Sequence, residues 1–312
     1  MSKKINSKVL SITLLLLLVI VVVTQLIDKK KGERNFKEQL FDIDTAKVTS
    51  VHLFPKINNF TEVKFEKKGN YWSIIKNDKE LRVNYLSVEN LLQQLNNLLP
   101  TRLAATSSEK WEKYELSDSL ATRVVIMSGN DELGELYVGK FNYNPQTQSG
   151  VSYVRINDDK EVYAVLGFLQ SVFDQEANAF RYNKLIVSNK SNWTKLQFFY
   201  PADSSFVLNK GIEGWTMNGA AVDSVKTEDY LNSIVNLNSR KFVDDNMVSA
   251  QDKEFYKLII EGSNFSPVEI KAYQADKENG FYITSSINEG AVFSGINGGL
   301  AEKVFKGMSQ FK

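Results

Sequence analysis

Phe65-Glu66-Lys67-Lys68-Gly69-Asn70-Tyr71-Trp72 reads as a strand, a tight turn and a returning strand that opens on tryptophan. Gly69-Asn70 supplies turn chemistry, and Val63 and Phe65 alternate with polar neighbours as one face of a half-buried strand requires. Leu208-Asn209-Lys210-Gly211-Ile212-Glu213-Gly214-Trp215 repeats the arrangement: an apolar residue, a Lys-containing Gly turn, and Trp at the same offset. One hairpin that recurs so far downstream raises the question of whether everything around it recurs.

It does. Upstream and downstream of the first hairpin, Val48–Phe54, Thr61–Glu66 and Tyr71–Lys76 have strand patterning. A Leu-rich helix follows, with Val88, Leu91, Leu92, Leu95, Leu98 and Leu99 at helical spacing, Ser87 as its N-cap and Pro100 as its stop. Strands resume at Arg123–Met127, Glu135–Gly139, Val151–Ile156 and Glu161–Val165, with the polar segment Asn142–Gly150 as a loop and a short helix at Gly167–Phe173. In the second round Ser205–Leu208 begins the hairpin. The helix Thr227–Leu237 turns Tyr230, Leu231 and Ile234 inward, and strands follow at Lys257–Ile260, Val268–Ala272, Phe281–Thr284 and Ala291–Phe293. An Arg-led strand follows the long helix in each round, at Arg102 and Arg240. A last helix with Leu300, Val304 and Phe305 answers Leu169, Val172 and Phe173. The period, roughly 130–140 residues, far exceeds the 20–50 of solenoid units. Each copy is large enough for its own core.

The expected fold is therefore α+β: two tandem copies of a strand-rich lobe with packed helices, after one N-terminal transmembrane helix. Residues 1–8 form a cytoplasmic tail, 9–27 the membrane anchor, 28–47 a charged linker, 48–180 the first repeat and 181–312 the second. From Val9 to Ile27 only Ser11, Thr13, Thr24 and Gln25 are polar. As a helix this stretch would reach roughly 28 Å, close to the thickness of a bilayer's hydrocarbon layer. Its exit, Thr24-Gln25-Leu26-Ile27-Asp28, lacks the small residues of a signal-peptidase site, so it reads as a retained anchor. Lysines flank both ends (Lys3, Lys4 and Lys8 before it, Lys29 to Lys31 after it), which leaves orientation open on charge alone.

Composition excludes several functions. The 312 residues carry a net charge of +1, with 43% hydrophobic and 24% charged residues, the profile of a folded globular chain. Residues 1–34 hold seven Lys or Arg against two acids, so the rest of the chain is mildly acidic. That argues against nucleic acid, which is bound chiefly through Lys and Arg contacts to phosphate. There is no cysteine, which removes disulfides, thiolate nucleophiles and cysteine-ligated metals.

Each candidate motif has a plain structural reading. The Gly134–Lys140 segment fits Gly-x4-Gly-Lys, but its interior is strand-forming and Phe141 stands where a phosphate-binding loop needs a hydroxyl. The single histidine, His52, lies in a strand with no adjacent nucleophile. Gly295-Ile296-Asn297-Gly298-Gly299 reads as a strand-to-helix turn, although such a turn can also cradle an anion. The acid pairs Asp158-Asp159 and Asp244-Asp245 lack the alternating spacing of a calcium loop. Trp72 and Trp215 occupy equivalent places and are expected in the two cores. Asp44-Thr45-Ala46, Asp118-Ser119-Leu120 and Asp223-Ser224-Val225 have the form of a short O-glycosylation acceptor. This inventory assigns no catalytic, cofactor-binding or metal-ligating residue, and no cofactor is expected.

Three further segments carry a resemblance. A Tyr-Glu-Leu segment (Tyr114–Leu116), a Leu-x-Val-Gly-Lys strand (Leu136–Lys140) and a Tyr-Val-Arg strand (Tyr153–Arg155) follow the Trp hairpin and the Leu-rich helix. Together they resemble the bacterial family called domain of unknown function 4340, over about residues 40–245. Glu115 stands where the family usually has Gly, and Ser119 where Pro is common. The resemblance implies an envelope location, often alongside gliding-motility-type ABC transporter components, and no established enzyme activity. It places the body outside the inner (cytoplasmic) membrane. The expected function is that of a non-enzymatic, membrane-anchored accessory or docking protein, with membrane lipid around residues 9–27 and envelope proteins as its partners. The competing expectation is an envelope polysaccharide- or peptide-binding module, or a hydrolase, with its cleft between the two lobes.

Overall fold

The structure is a computed structural model that describes residues 16, 17, 19, 21, 36–76, 79–157, 159–244, 246–249, 251–275, 280–296 and 299–312. The first lobe runs β1 (Ser50–Phe54), β2 (Val63–Lys68), β3 (Tyr71–Lys76), β4 (Lys79–Arg82), α1 (Tyr85–Asn96), β5 (Pro100–Ala105), β6 (Thr122–Ser128), β7 (Asp131–Asn144), β8 (Ser149–Ile156) and β9 (Val162–Leu166), then α2 (Gln170–Phe173) and α3 (Ala177–Phe180). The second runs β10 (Trp193–Phe199), β11 (Phe206–Gly211), β12 (Gly214–Met217), β13 (Ala220–Ala221), α4 (Ser224–Ile234), β14 (Glu254–Gly262), β15 (Val268–Gln274), β16 (Phe281–Ser285), β17 (Phe293–Ser294) and α5 (Leu300–Val304).

Each lobe is built on one antiparallel sheet. The first is ordered β4-β3-β2-β1-β6-β7-β8-β9-β5 and the second β13-β12-β11-β10-β14-β15-β16-β17. Eight places therefore match one for one. The ninth, held by β5 in the first sheet, is reduced in the second to a single bridge between Phe242 and Phe293. The hairpins match in register as well as in sequence: Lys67 faces Trp72, and Lys210 faces Trp215.

The expected α+β class is corrected by this architecture. The fold is mostly β, with 40% of the described residues in strand and 22% in helix, and the body is organised by two large antiparallel sheets. The longest helix of the body, α1, has 12 residues and covers one face of the first sheet with Val88, Leu91, Leu92 and Leu95. Helices here cap sheets rather than form a layer of their own. The expected transmembrane helix at Val9–Ile27 lies outside the described residues apart from Leu16, Leu17, Val19 and Val21. Among the described residues no helix is long and apolar enough to cross a membrane.

Smaller corrections have local causes. Asn84, not Ser87, caps α1, accepting from the Leu86 N–H. β10 escapes the alternation test because a register shift between Trp193 and Lys195 breaks its period. Asn142–Gly150 is not one loop: both strands of a long hairpin extend into it, with Asn144 facing Ser149. Arg240 begins no strand. Trp72 is fully buried, whereas Trp215 is half-buried against the second core and Trp193 fills that core instead. The Trp72 indole N–H is buried with no hydrogen-bond partner. That costs about 1–3 kcal/mol, which the burial of a Trp ring, worth roughly 4–6 kcal/mol, more than offsets.

The lobes meet through backbone. Val83 bridges Arg181, the Tyr182 N–H donates to the Arg82 carbonyl at 2.8 Å, and Asn288 Nδ2 donates to the Tyr182 carbonyl at 2.6 Å. Arg82 lies over the Tyr182 ring at 4.1 Å and donates to the Ile287 carbonyl at 3.2 Å.

Candidate functional site, an aromatic groove at one end of the second sheet

Strand registers define which residues of the two lobes are equivalent. Leu53 faces Val63 and Val124 in the first sheet, as Phe198 faces Phe206 and Leu258 in the second. Val124 faces Leu136, which faces Ile156; Leu258 faces Ile270, which faces Ser285. Counting from these anchors, Phe54 corresponds to Phe199, Thr122 to Tyr256, Arg123 to Lys257, Gly139 to Tyr273, Tyr153 to Tyr282 and Arg155 to Thr284. One interaction is kept across the pair. Arg123 lies 5.2 Å from the Phe54 ring and Lys257 lies 5.0 Å from the Phe199 ring.

In the first lobe this end of the sheet is sealed by the connection from β5 to β6. Arg155 is buried with its guanidinium 3.3 Å from the Tyr137 ring and 4.0 Å from the Trp111 ring. Its Nε donates to the Leu116 carbonyl at 2.9 Å, its Nη1 to the Asn157 carbonyl at 3.1 Å, and its Nη2 to Asp118. Tyr114 packs on Tyr153 at 4.5 Å. A Cβ on Gly139 would lie 2.3 Å from the Tyr114 carbonyl oxygen, so only glycine permits the approach. The Tyr-Glu-Leu, Gly-Lys and Tyr-Val-Arg segments thus meet at one place, and their work there is to clamp a loop.

In the second lobe the corresponding connection is shorter, and no such clamp forms among the described residues. Phe199 ends β10, Glu254 starts β14, Gln274 ends β15 and Phe281 starts β16, so four strand ends surround a groove of about 980 Å³. Phe199, Tyr200, Phe255, Tyr256, Tyr273 and Tyr282 line it. Tyr256 anchors the floor, 5.0 Å from the Tyr200 ring, 5.1 Å from Phe281 and 5.4 Å from Phe305. The Tyr200 hydroxyl donates to the Lys306 carbonyl at 2.9 Å, and burial raises its pKa. Met247 forms part of the rim, half-exposed, with its sulfur 3.7 Å from the Tyr282 hydroxyl.

Two carboxylates belong to the groove, and both are engaged. Glu254 pairs with Lys271 at 2.5 Å and Lys257 at 3.2 Å, and the hydrogen bond from Lys271 leads in lowering its pKa. Asp252 accepts from the Ser249 N–H at 2.6 Å. A general acid at neutral pH needs a raised carboxyl pKa, the opposite of what Glu254 has. The surface is built for contact: aromatic rings, a methionine and a charged rim are the residue types enriched where proteins bind one another.

The other singled-out residues are placed away from this groove. His52 Nδ1 is 2.6 Å from Glu62 and its Nε2 3.2 Å from Ser50. Gly134–Lys140 lies within β7. Asp44 and Asp223 cap helical turns, Asp223 accepting from the Val225 and Lys226 N–H groups, so two of the three Asp-Ser/Thr motifs are capping devices. Asp159 accepts from Tyr163 and Lys37. Asp158, Asp245, Asn297 and Gly298 lie outside the described residues. Among the described residues no group of three His, Cys, Asp or Glu side chains is gathered for a metal. The groove itself was invisible to motif reading, because its aromatics come from four strands and become neighbours only through register.

Fold and groove define a duplicated antiparallel β protein, sealed in one copy and open in the other. The model of the family described as domain of unknown function (DUF4340) matches residues 72–259, from the first Trp hairpin to β14 of the second lobe. The chain belongs to that family. No curated protein and no solved structure matched the chain in comparison.

Proposed function

We propose that the chain is a non-enzymatic docking protein of the cell envelope, and that the groove of the second lobe receives an apolar or aromatic segment of its protein partner. The observation that carries this reading is the exchange of Gly139 for Tyr273 at equivalent places. A position sealed by the chain's own loop in one copy becomes an open aromatic surface in the other. The apolar stretch Val9–Ile27 supports attachment to a membrane; the outer placement of the body and a partner within a membrane complex of the ABC transporter class are what the resemblance implies.

The test uses the full chain in mild detergent, with a photo-crosslinking residue at position 247. Wild type should yield one dominant cross-linked partner. The double variant Tyr273→Ser with Tyr282→Ser should reduce that yield at least about tenfold, since aromatic anchors in such patches commonly carry 2 kcal/mol or more each. An equal yield from the variant would sink the reading. So would retention on envelope polysaccharide with no protein cross-link, which would favour a sugar-binding module.

A further inference from the structure

A second cavity opens on the second lobe, and its chemistry is different. In the first lobe β5 completes the sheet by pairing with β9 from Pro100 to Ala105. The equivalent segment in the second lobe touches β17 only around Phe242, with the Ser294 N–H donating to the Lys241 carbonyl at 2.8 Å. Asn238–Arg240 therefore stands away from the sheet. Between it, α4 and α5 lies a groove of about 1020 Å³.

Five cations line this groove, Lys226, Arg240, Lys241, Lys303 and Lys306, against two acids, Asp229 and Glu302. Lys226 is engaged by Asp223 and by the Lys312 carbonyl oxygen. Among the described residues the other four cations have no side-chain hydrogen bond or ion pair, and neither do Asp229 and Glu302. The outer face of the sheet in the same lobe is managed differently: Lys195, Lys257 and Lys271 each meet a carboxylate. Like charges held together in a concave wall repel one another, and the wall focuses their field. Such an arrangement is relieved by an anion. Ser239, Ser294 and Ser309 add neutral donors along the same wall.

We propose that this groove binds a phosphate-bearing ligand, with Arg240, Lys241, Lys303 and Lys306 as its cationic contacts. Lysines and an arginine aimed at one volume, joined by hydroxyl donors, match a group with several charged oxygens. The phosphate can belong to a soluble oligophosphate or to a phospholipid headgroup. Both are the same chemistry, and the experiment separates them. The proposal is independent of the aromatic groove and of any partner held there.

Full-length protein in detergent is titrated with inorganic tripolyphosphate by calorimetry. In parallel it is reconstituted and floated with phosphatidylcholine vesicles with and without phosphatidylglycerol. Arg240→Gln with Lys303→Gln removes two exposed cations without disturbing the core, and circular dichroism checks its fold. Tripolyphosphate binding that weakens at least about tenfold in the variant identifies a soluble ligand. Extra flotation on phosphatidylglycerol that the variant loses identifies a headgroup, since residues 9–27 are the same in both proteins. Absence of binding in both arms overturns the proposal, as does binding that the variant leaves unchanged. The single variant Lys241→Gln gives an independent reading should the double variant fail to fold.

Discussion

Gly139 and Tyr273 hold the same place in two sheets of the same strand order, yet one is covered by a loop and the other lines an open groove. Pro100–Ala105 is a full edge strand in the first lobe, and its counterpart is a single bridge at Phe242 in the second. Both differences run the same way. The first copy turns its sequence toward closing itself, and the second leaves two surfaces open on one core. Duplication allows this division, because the first lobe and the backbone junction at Val83–Arg181 can supply rigidity that the second lobe need not provide alone.

The comparison predicts that matching substitutions in the two lobes have unequal effects. The largest difference is expected at Arg155 and Thr284. Arg155→Met removes a buried guanidinium and strands the Leu116 and Asn157 carbonyls. Unsatisfied buried acceptors cost about 1–3 kcal/mol each, so a loss of about 3 kcal/mol is expected in urea unfolding. Thr284→Ala lies on the solvated outer face and should fall within about 0.5 kcal/mol. Comparable losses at the two positions would show that the second lobe is clamped after all.

A smaller asymmetry is expected at Gly139. Gly139→Ala puts a methyl group against the Tyr114 carbonyl, and overpacking of this kind costs about 1–3 kcal/mol. Tyr273→Ala removes a half-buried ring from an open groove and should cost less than that. Thermal unfolding followed by near-UV circular dichroism distinguishes them. The reverse order would mean that Tyr273 is a core residue and that the groove is a packing feature.

How much of this could be read in advance depended on whether the signal was local. The Trp hairpins were legible because turn, Lys and Trp lie within a few residues, and their register in the structure is the one their spacing implies. The helix at Val88–Leu95 was legible from its period. β10 was not, since the shift at Trp193 spoils alternation, and neither was the distal half of the β7–β8 hairpin, whose side chains are mostly exposed and so carry no hydrophobic pattern. The Leu-rich helices carry the stronger periodic signal, which is why the sequence suggests α+β although the strands they cover dominate the fold. Both grooves depend on the pairing of residues far apart in the chain, or on a strand that fails to form. Neither leaves a mark in a window of ten residues.

The smallest expected effect concerns the loop that seals the first lobe. Glu115 has φ of 56°, in the left-handed region that favours Gly. A side chain there costs roughly 1–2 kcal/mol of backbone strain relative to the right-handed form, part of which glycine's greater freedom in the unfolded chain cancels. Glu115 also pairs with Lys56 at 2.9 Å, but both side chains are more than 40% exposed, so the pair contributes little. Glu115→Gly should therefore stabilise the first lobe by about 0.5 kcal/mol, seen as a rise in its urea midpoint with the slope unchanged. A destabilised variant would mean that the Lys56 pair holds the loop, and the clamp would then rest on a surface charge rather than on Arg155 and the backbone at Gly139.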